Sequence, residues 1–215
     1  MAVLHNPLIS SEARGKVGGL VYNTWRGRAY AKSKTGPAQP RSERQLNIRA
    51  MATKLIRAWQ SIGATLIPLW NDYAAAHPDI DWSGNAKRLS GANWYLRCNL
   101  RLSDMAKSLI DTPPAVPAPP AVTALVLTPG AGSISCAFDA SGGTSISLDI
   151  WDQGPHSPGV QPKIQRAKHK AYAPGETSPY VLSGLAPGLH TLFARHVSET
   201  TGLASPWVMA SATVT

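Results

Sequence analysis

The sequence predicts an α+β protein of several domains: a basic arm carrying a β-hairpin, a small helical domain, and then an all-β sandwich. Three observations predict it. Excess positive charge is confined to the first half, five prolines crowd the eight positions 113–120, and the hydrophobic period changes from three-to-four to two across that stretch. The 215 residues are 43% hydrophobic, enough for more than one core. Gly and Pro, 18 each, fall well short of a collagenous or wholly low-complexity composition, so the chain is globular and loop-rich.

The arm comes first. Residues 1–112 hold 16 Lys and Arg against 7 Asp and Glu, a net charge of +9, whereas residues 113–215 hold 5 of each. Within the first part, Arg14 to Arg49 carries nine cations against Glu43 alone, so +8 falls on 36 residues. Such a density repels itself and attracts polyanions or an acidic protein surface. Leu20–Trp25 and Arg28–Lys34 alternate around Arg26-Gly27, which predicts a hairpin with Tyr22 and Tyr30 near basic residues. The partner-binding candidates are therefore Arg14, Lys16, Tyr22, Trp25, Arg26, Arg28, Tyr30, Lys32 and Lys34. The arm is assigned to residues 1–40.

The helical domain is assigned to 41–111. Ser42-Glu-Arg-Gln45 has the form of a capping box, and Ile48, Met51, Leu55, Trp59 and Ile62 follow at steps of three and four, with Gly63 as the stop. Thr65 is placed to cap a second helix running to His77-Pro78, and Ser90 opens a third. The aromatic residues of these helices read as core.

Residues 112–120 read as a stiff polyproline linker, a strut of roughly 25 Å at 3.1 Å per residue. Beyond it, from 121 to 215, alternating segments recur about every ten residues: Val122–Leu127, Ile134–Phe138, Ile146–Ile150, Tyr180–Leu182, Leu192–His196 and Val208–Val214. Ser141-Gly-Gly143 and Ala186-Pro-Gly188 are the turns, and seven short strands in a sandwich are expected.

Two resemblances follow from particular residues. Leu185-Ala-Pro-Gly188, the alternating strand after it, and Thr201-Gly-Leu-Ala-Ser-Pro-Trp207 resemble the E–F corner through G strand of a fibronectin type III (immunoglobulin-like) domain. Phe138 stands where that family usually has a tryptophan, and Thr191 where its corner tyrosine is expected. The resemblance implies a binding or spacer module. Further upstream, Gly15-Lys-Val-Gly-Gly19, the Trp25-Arg-Gly27 hairpin, Pro40-Arg-Ser-Glu-Arg-Gln45 and Leu89-Ser-Gly-Ala-Asn93 are similar to a family of uncharacterised phage and prophage proteins. That similarity spans residues 12 to 115 and implies a virion or assembly protein.

Catalytic spacings are absent: no phosphate loop, H-E-x-x-H, G-x-S-x-G, S-x-x-K or C-x-x-C is present, so no enzyme and no cofactor are expected. His190 and His196 lie about 20 Å apart on one strand by spacing, too far to share a metal, and Asp79 and Asp81 read as turn formers. Cys98 and Cys136 read as small buried apolar residues in different domains. No apolar run reaches the roughly 20 residues of a membrane span, and the start lacks a secretory leader's pattern.

The expected function is structural: a bacteriophage virion protein, a capsid decoration or stabilisation protein, anchored by the basic part and projecting the sandwich. Its expected partners are the major capsid protein or other virion proteins, in many copies, with a host-surface glycan for the sandwich. It would be made in the host cytoplasm and reside in the virion. The alternatives are a neck or tail component, or a nucleic-acid-binding protein with the same cations on phosphates and Tyr22, Trp25 or Tyr30 stacked on bases.

Overall fold

The computed structural model describes residues 3–4, 13–25, 28–34, 42–80, 86–139, 145–175 and 177–215. The fold is mixed α+β, with three helices and antiparallel sheets, and divides into two compact units, Met1–Gln45 and Leu46–Thr215.

The first unit holds a four-stranded antiparallel sheet in the order β1 (Val3–Leu4), β2 (Ala13–Val17), β3 (Leu20–Trp25), β4 (Arg28–Ser33). The expected hairpin is its β3–β4 half, paired from Leu20 with Ser33 to Trp25 with Arg28. The β2–β3 turn is Gly18-Gly19, with Gly18 at φ +55°, the left-handed backbone that a two-residue hairpin turn demands. The strand β2 escapes a reading by pattern because Ala-Arg-Gly-Lys-Val has one β-branched residue and an uncharged face of which two of three members are Ala and Gly.

The helix α1 (Glu43–Ser61), all but its first three residues in the second unit, begins where the Ser42 capping box places it. The reciprocal half of that box is not made, since Gln45 Oε1 is buried without a hydrogen-bond partner among the described residues. Along the expected stripe Leu55 is fully buried, Met51, Trp59 and Ile62 are partly buried against the same cluster, and Ile48 is exposed. The second helix, α2 (Leu66–Ala76), ends before His77-Pro78 as expected, but Thr65 makes no side-chain cap. Its backbone is already helical (φ −82°, ψ −32°), whereas a capping side chain needs the extended conformation to reach back to the helix amides. Ser90 has that conformation, and its hydroxyl accepts from the Asn93 amide at 3.3 Å, starting α3 (Gly91–Asp104). Between the helices, β5 (Asp79–Ile80) pairs with β6 (Ala86–Lys87).

The C-terminal part has seven strands: β7 (Val126–Gly130), β8 (Ser133–Ala137), β9 (Ile146–His156), β10 (Lys168–Pro174), β11 (Tyr180–Ser183), β12 (Gly188–Ser198) and β13 (Val208–Val214). They form two sheets, β11-β8-β7 and β10-β9-β12-β13. One apolar cluster joins Ile134, Cys136 and Leu182 of the first sheet to Leu192, Ala212 and Val214 of the second, as alternation on facing strands requires. A second holds Val122, Phe138, Leu148, Ile150, Ala173 and Ala194. The turn expected at 141–143 lies outside the described residues.

The expected strut is where the fold differs from the sequence reading. Leu203, in the β12–β13 loop, packs in one cluster with Leu55, Trp70, Tyr95 and Cys98 of the helices. The segment between is pinned at both ends. Asn99, fully buried, bonds the Ile110 amide and carbonyl at 2.8 and 2.9 Å, the Trp70 indole donates to the Asp111 carbonyl at 2.7 Å, and His196 Nδ1 lies 3.0 Å from the Pro120 carbonyl. Proline density favours an extended chain but does not dictate where its ends attach. Buried side chains on both sides decide that.

Candidate functional site

The candidate site is the sheet of the first unit, and its register sorts the residues. Gly15 pairs with Tyr22, Lys16 with Val21, Val21 with Lys32, Asn23 with Tyr30 and Trp25 with Arg28. Paired residues share a face and successive ones alternate. Positions Arg14, Lys16, Val21, Asn23, Trp25, Arg28, Tyr30 and Lys32 therefore lie on one face. The opposite face holds Ala13, Gly15, Val17, Leu20, Tyr22, Thr24, Ala29, Ala31 and Ser33, none of them charged. Four cationic positions of the strands fall on one side and none on the other.

Lys16, Tyr30 and Lys32 are exposed and Val21 is half-buried, so the row Lys16–Val21–Lys32 sets two lysine backbone positions about 10 Å apart across two strand spacings. That separation is close to the Debye length at physiological ionic strength, roughly 8 Å, so their mutual repulsion is screened while both can meet one acidic surface.

Of the nine candidate residues, the structure brings Arg14, Lys16, Trp25, Arg28, Tyr30 and Lys32 to a common face by backbone register. Tyr22 belongs to the other face. The two-residue connection pairs even positions of β3 with odd positions of β4, so Tyr22 and Tyr30 point to opposite sides, which corrects the grouping of both with the cations. Lys34 follows β4, is exposed, and donates its amide to the Gly19 carbonyl at 2.7 Å. Arg26 lies outside the described residues.

The remaining chemical candidates resolve into structure. His190 is buried, with Nδ1 2.9 Å from Asp152 and Nε2 2.8 Å from the Ala186 carbonyl. His196 is buried beside Phe138. Asp79 pairs with Arg97, and Asp81 lies outside the described residues. Thr191, at the position where a corner tyrosine was sought, is fully buried and shares its hydroxyl with Ser211 Oγ at 2.8 Å and His156 Nε2 at 3.0 Å. Cys98 and Cys136 are buried free thiols in separate clusters, and burial pushes each thiol up to about 11.

Sequence reading missed a charge network on the four-stranded sheet. Asp149, fully buried, receives Arg195 Nε at 2.9 Å and the Trp151 indole at 2.7 Å, while the Arg195 guanidinium lies 4.0 Å from the centroid of Trp207. Isolated Asp and Arg 46 residues apart leave no local signal.

No family model matches the chain, and no curated protein matches it in sequence.

Proposed function

We propose that the chain is a structural protein of a bacteriophage particle, a capsid decoration or stabilisation protein that docks through the basic face of its N-terminal sheet onto an acidic surface of the major capsid protein or another virion protein. The observation that carries this reading is the one-sidedness of the sheet, with four cationic positions on one face and an uncharged opposite face. A half-buried antiparallel sheet also sorts its charge onto the solvated face, but has no need to make that charge of one sign, as it is here. A sheet that docks needs complementary charge on the docking face, where it steers encounter and sets orientation. The phage setting comes from the similarity of residues 12 to 115 described above.

The C-terminal part is read as a fibronectin type III-like module. Its support is strand order: β9-β12-β13 corresponds to the C-F-G order of the immunoglobulin-like sandwich, and β7-β8-β11 to A-B-E. Because Leu203 belongs to the helical cluster, helices and module arrive at the particle as one body, not as a module held off by a spacer.

The direct experiment is quantitative mass spectrometry of purified particles, with copy number taken relative to the major capsid protein. A hundred or more copies fit decoration, six to twelve would move the protein to the neck or tail, and none would refute a virion role. A second reading, nucleic-acid binding, is favoured by one observation, the exposed Tyr30 on the same face as Lys16 and Lys32. Its signature is salt-dependent binding to naked DNA.

A further inference from the structure

A cleft of about 640 Å³ opens in the second unit between α2, α3, residues 114–118 and the β12–β13 loop. Its volume is that of a small-molecule site. Arg101 lines it, and NH1 donates to the Gly202 carbonyl at 3.0 Å. That is one described acceptor for a group with five N–H donors. The neighbouring charges do not complete it. Arg97 is paired with Asp79 and Arg195 with Asp149, and among the described residues Arg101 forms no salt bridge. Burial first, then repulsion from Arg195 and Arg97, pull the Arg101 guanidinium down to about 10. Trp94 lines the same cleft with its ring, its indole N–H being buried with no acceptor among the described residues. The wall is aromatic, with Trp94 edge-on to Tyr73 at 5.5 Å, His77 stacked on Tyr73 at 4.1 Å and the Arg97 guanidinium 5.0 Å from the centroid of the Trp94 ring.

A guanidinium without a carboxylate partner beside an aromatic wall defines the complementary ligand: an acceptor with negative charge, attached to a flat or ring-shaped body. We propose that this cleft binds a carboxylate carried on a six-membered ring, the carboxylate against the Arg101 guanidinium and the ring against the wall of Tyr73 and Trp94. Planar guanidinium and planar carboxylate match each other's donor and acceptor geometry, which a lone ammonium does not. The ring acid has two natural sources, an acidic sugar or an aromatic acid. The site is separate from the basic sheet, and the inference does not depend on how that sheet is used.

The test is titration of the ¹⁵N-labelled full chain with glucuronate and with benzoate, beside glucose and inorganic phosphate, following amide and indole resonances. The expected result is saturable shifts of the Trp94 indole and of residues 73–77 and 203–204 with at least one ring acid and none with glucose. The stronger of the two acids identifies the source. Arg101→Lys keeps the charge and removes the fork, and should weaken that binding at least tenfold. The wild-type map stands even if this variant folds poorly. Absence of saturable shifts with both acids, shifts confined to other parts of the chain, or phosphate binding as tightly as the ring acids would overturn the proposal.

Discussion

Gly202, in the loop between β12 and β13, lies with its backbone against Cys98 of α3, so close that a Cβ built on it would stand 2.9 Å from the Cys98 Cα and collide with the carbonyl beyond. Its φ of +69° is also one that side chains other than glycine's rarely adopt. Strand loop and helix thus meet main chain to main chain, with Leu203 entering the helical cluster next to the contact.

Gly202→Ala should therefore destabilise the protein by about 1–3 kcal/mol or more, from the strained φ and the overlap together. Urea unfolding followed by tryptophan fluorescence and by far-UV circular dichroism should shift to lower denaturant with coincident transitions. Two separated transitions in the wild type would mean that helices and sandwich unfold independently.

How far the fold was legible follows from which signals are local. The β3–β4 hairpin, the limits of α1 and α2, the Ser90 cap and six of the seven C-terminal strands were readable, because period, proline stops and capping side chains act within a few residues. The strand β10 was not. Lys-His-Lys interrupts its alternation, and a register shift between His169 and Ala171 breaks the period of two. Nor was the union of helices and sandwich, which rests on Gly202 and Leu203 reaching across long stretches of chain. For the candidate site, the residue types were evident from composition. Their division between two faces, and the misplacement of Tyr22, needed the register.

Within the helical cluster, Leu55→Ala should cost about 2–5 kcal/mol, the usual range for a fully buried leucine, whereas Ile48→Ala on the same helix, 40% exposed, should stay within about 0.5 kcal/mol. Chemical denaturation of both variants checks this. Equal losses would mean that α1 buries a different face.

The two thiols contribute to the alkaline limb of stability. Burial holds Cys98 and Cys136 at about 11 in the folded chain, against 9.0 for a free thiol. Between those values the unfolded chain gives up protons that the folded chain retains, so stability falls as pH rises from about 9 towards 11. Cys98→Ala/Cys136→Ala should flatten that part of the pH profile, and both native thiols should resist alkylation at pH 8.5 until denaturant is added.

Acid stability has a contributor at Glu199, whose carboxylate receives hydrogen bonds from Lys107 and from Ser147 Oγ (2.6 Å). These bonds, Lys107's first, hold it below the ordinary glutamate range. A depressed carboxyl stabilises the fold above its unfolded value and loses that contribution as pH falls through its folded value. Glu199→Gln should therefore lower stability at neutral pH and reduce the slope of the acid limb in thermal melts. An unchanged acid limb would mean that Lys107 and Ser147 hold this side chain only weakly.

The central claim is that the cations sorted onto one face of the N-terminal sheet anchor the protein to a phage particle. Two variants test it, each removing three positive charges: Lys16→Gln/Arg28→Gln/Lys32→Gln on that face, and Lys54→Gln/Arg57→Gln/Lys87→Gln at exposed positions of the second unit. The measurement is the amount of each variant retained on purified particles, by quantitative mass spectrometry against wild type. The account predicts at least a tenfold loss for the sheet variant and near wild-type retention for the other. Normal retention of the sheet variant, or equal loss of both, would contradict it.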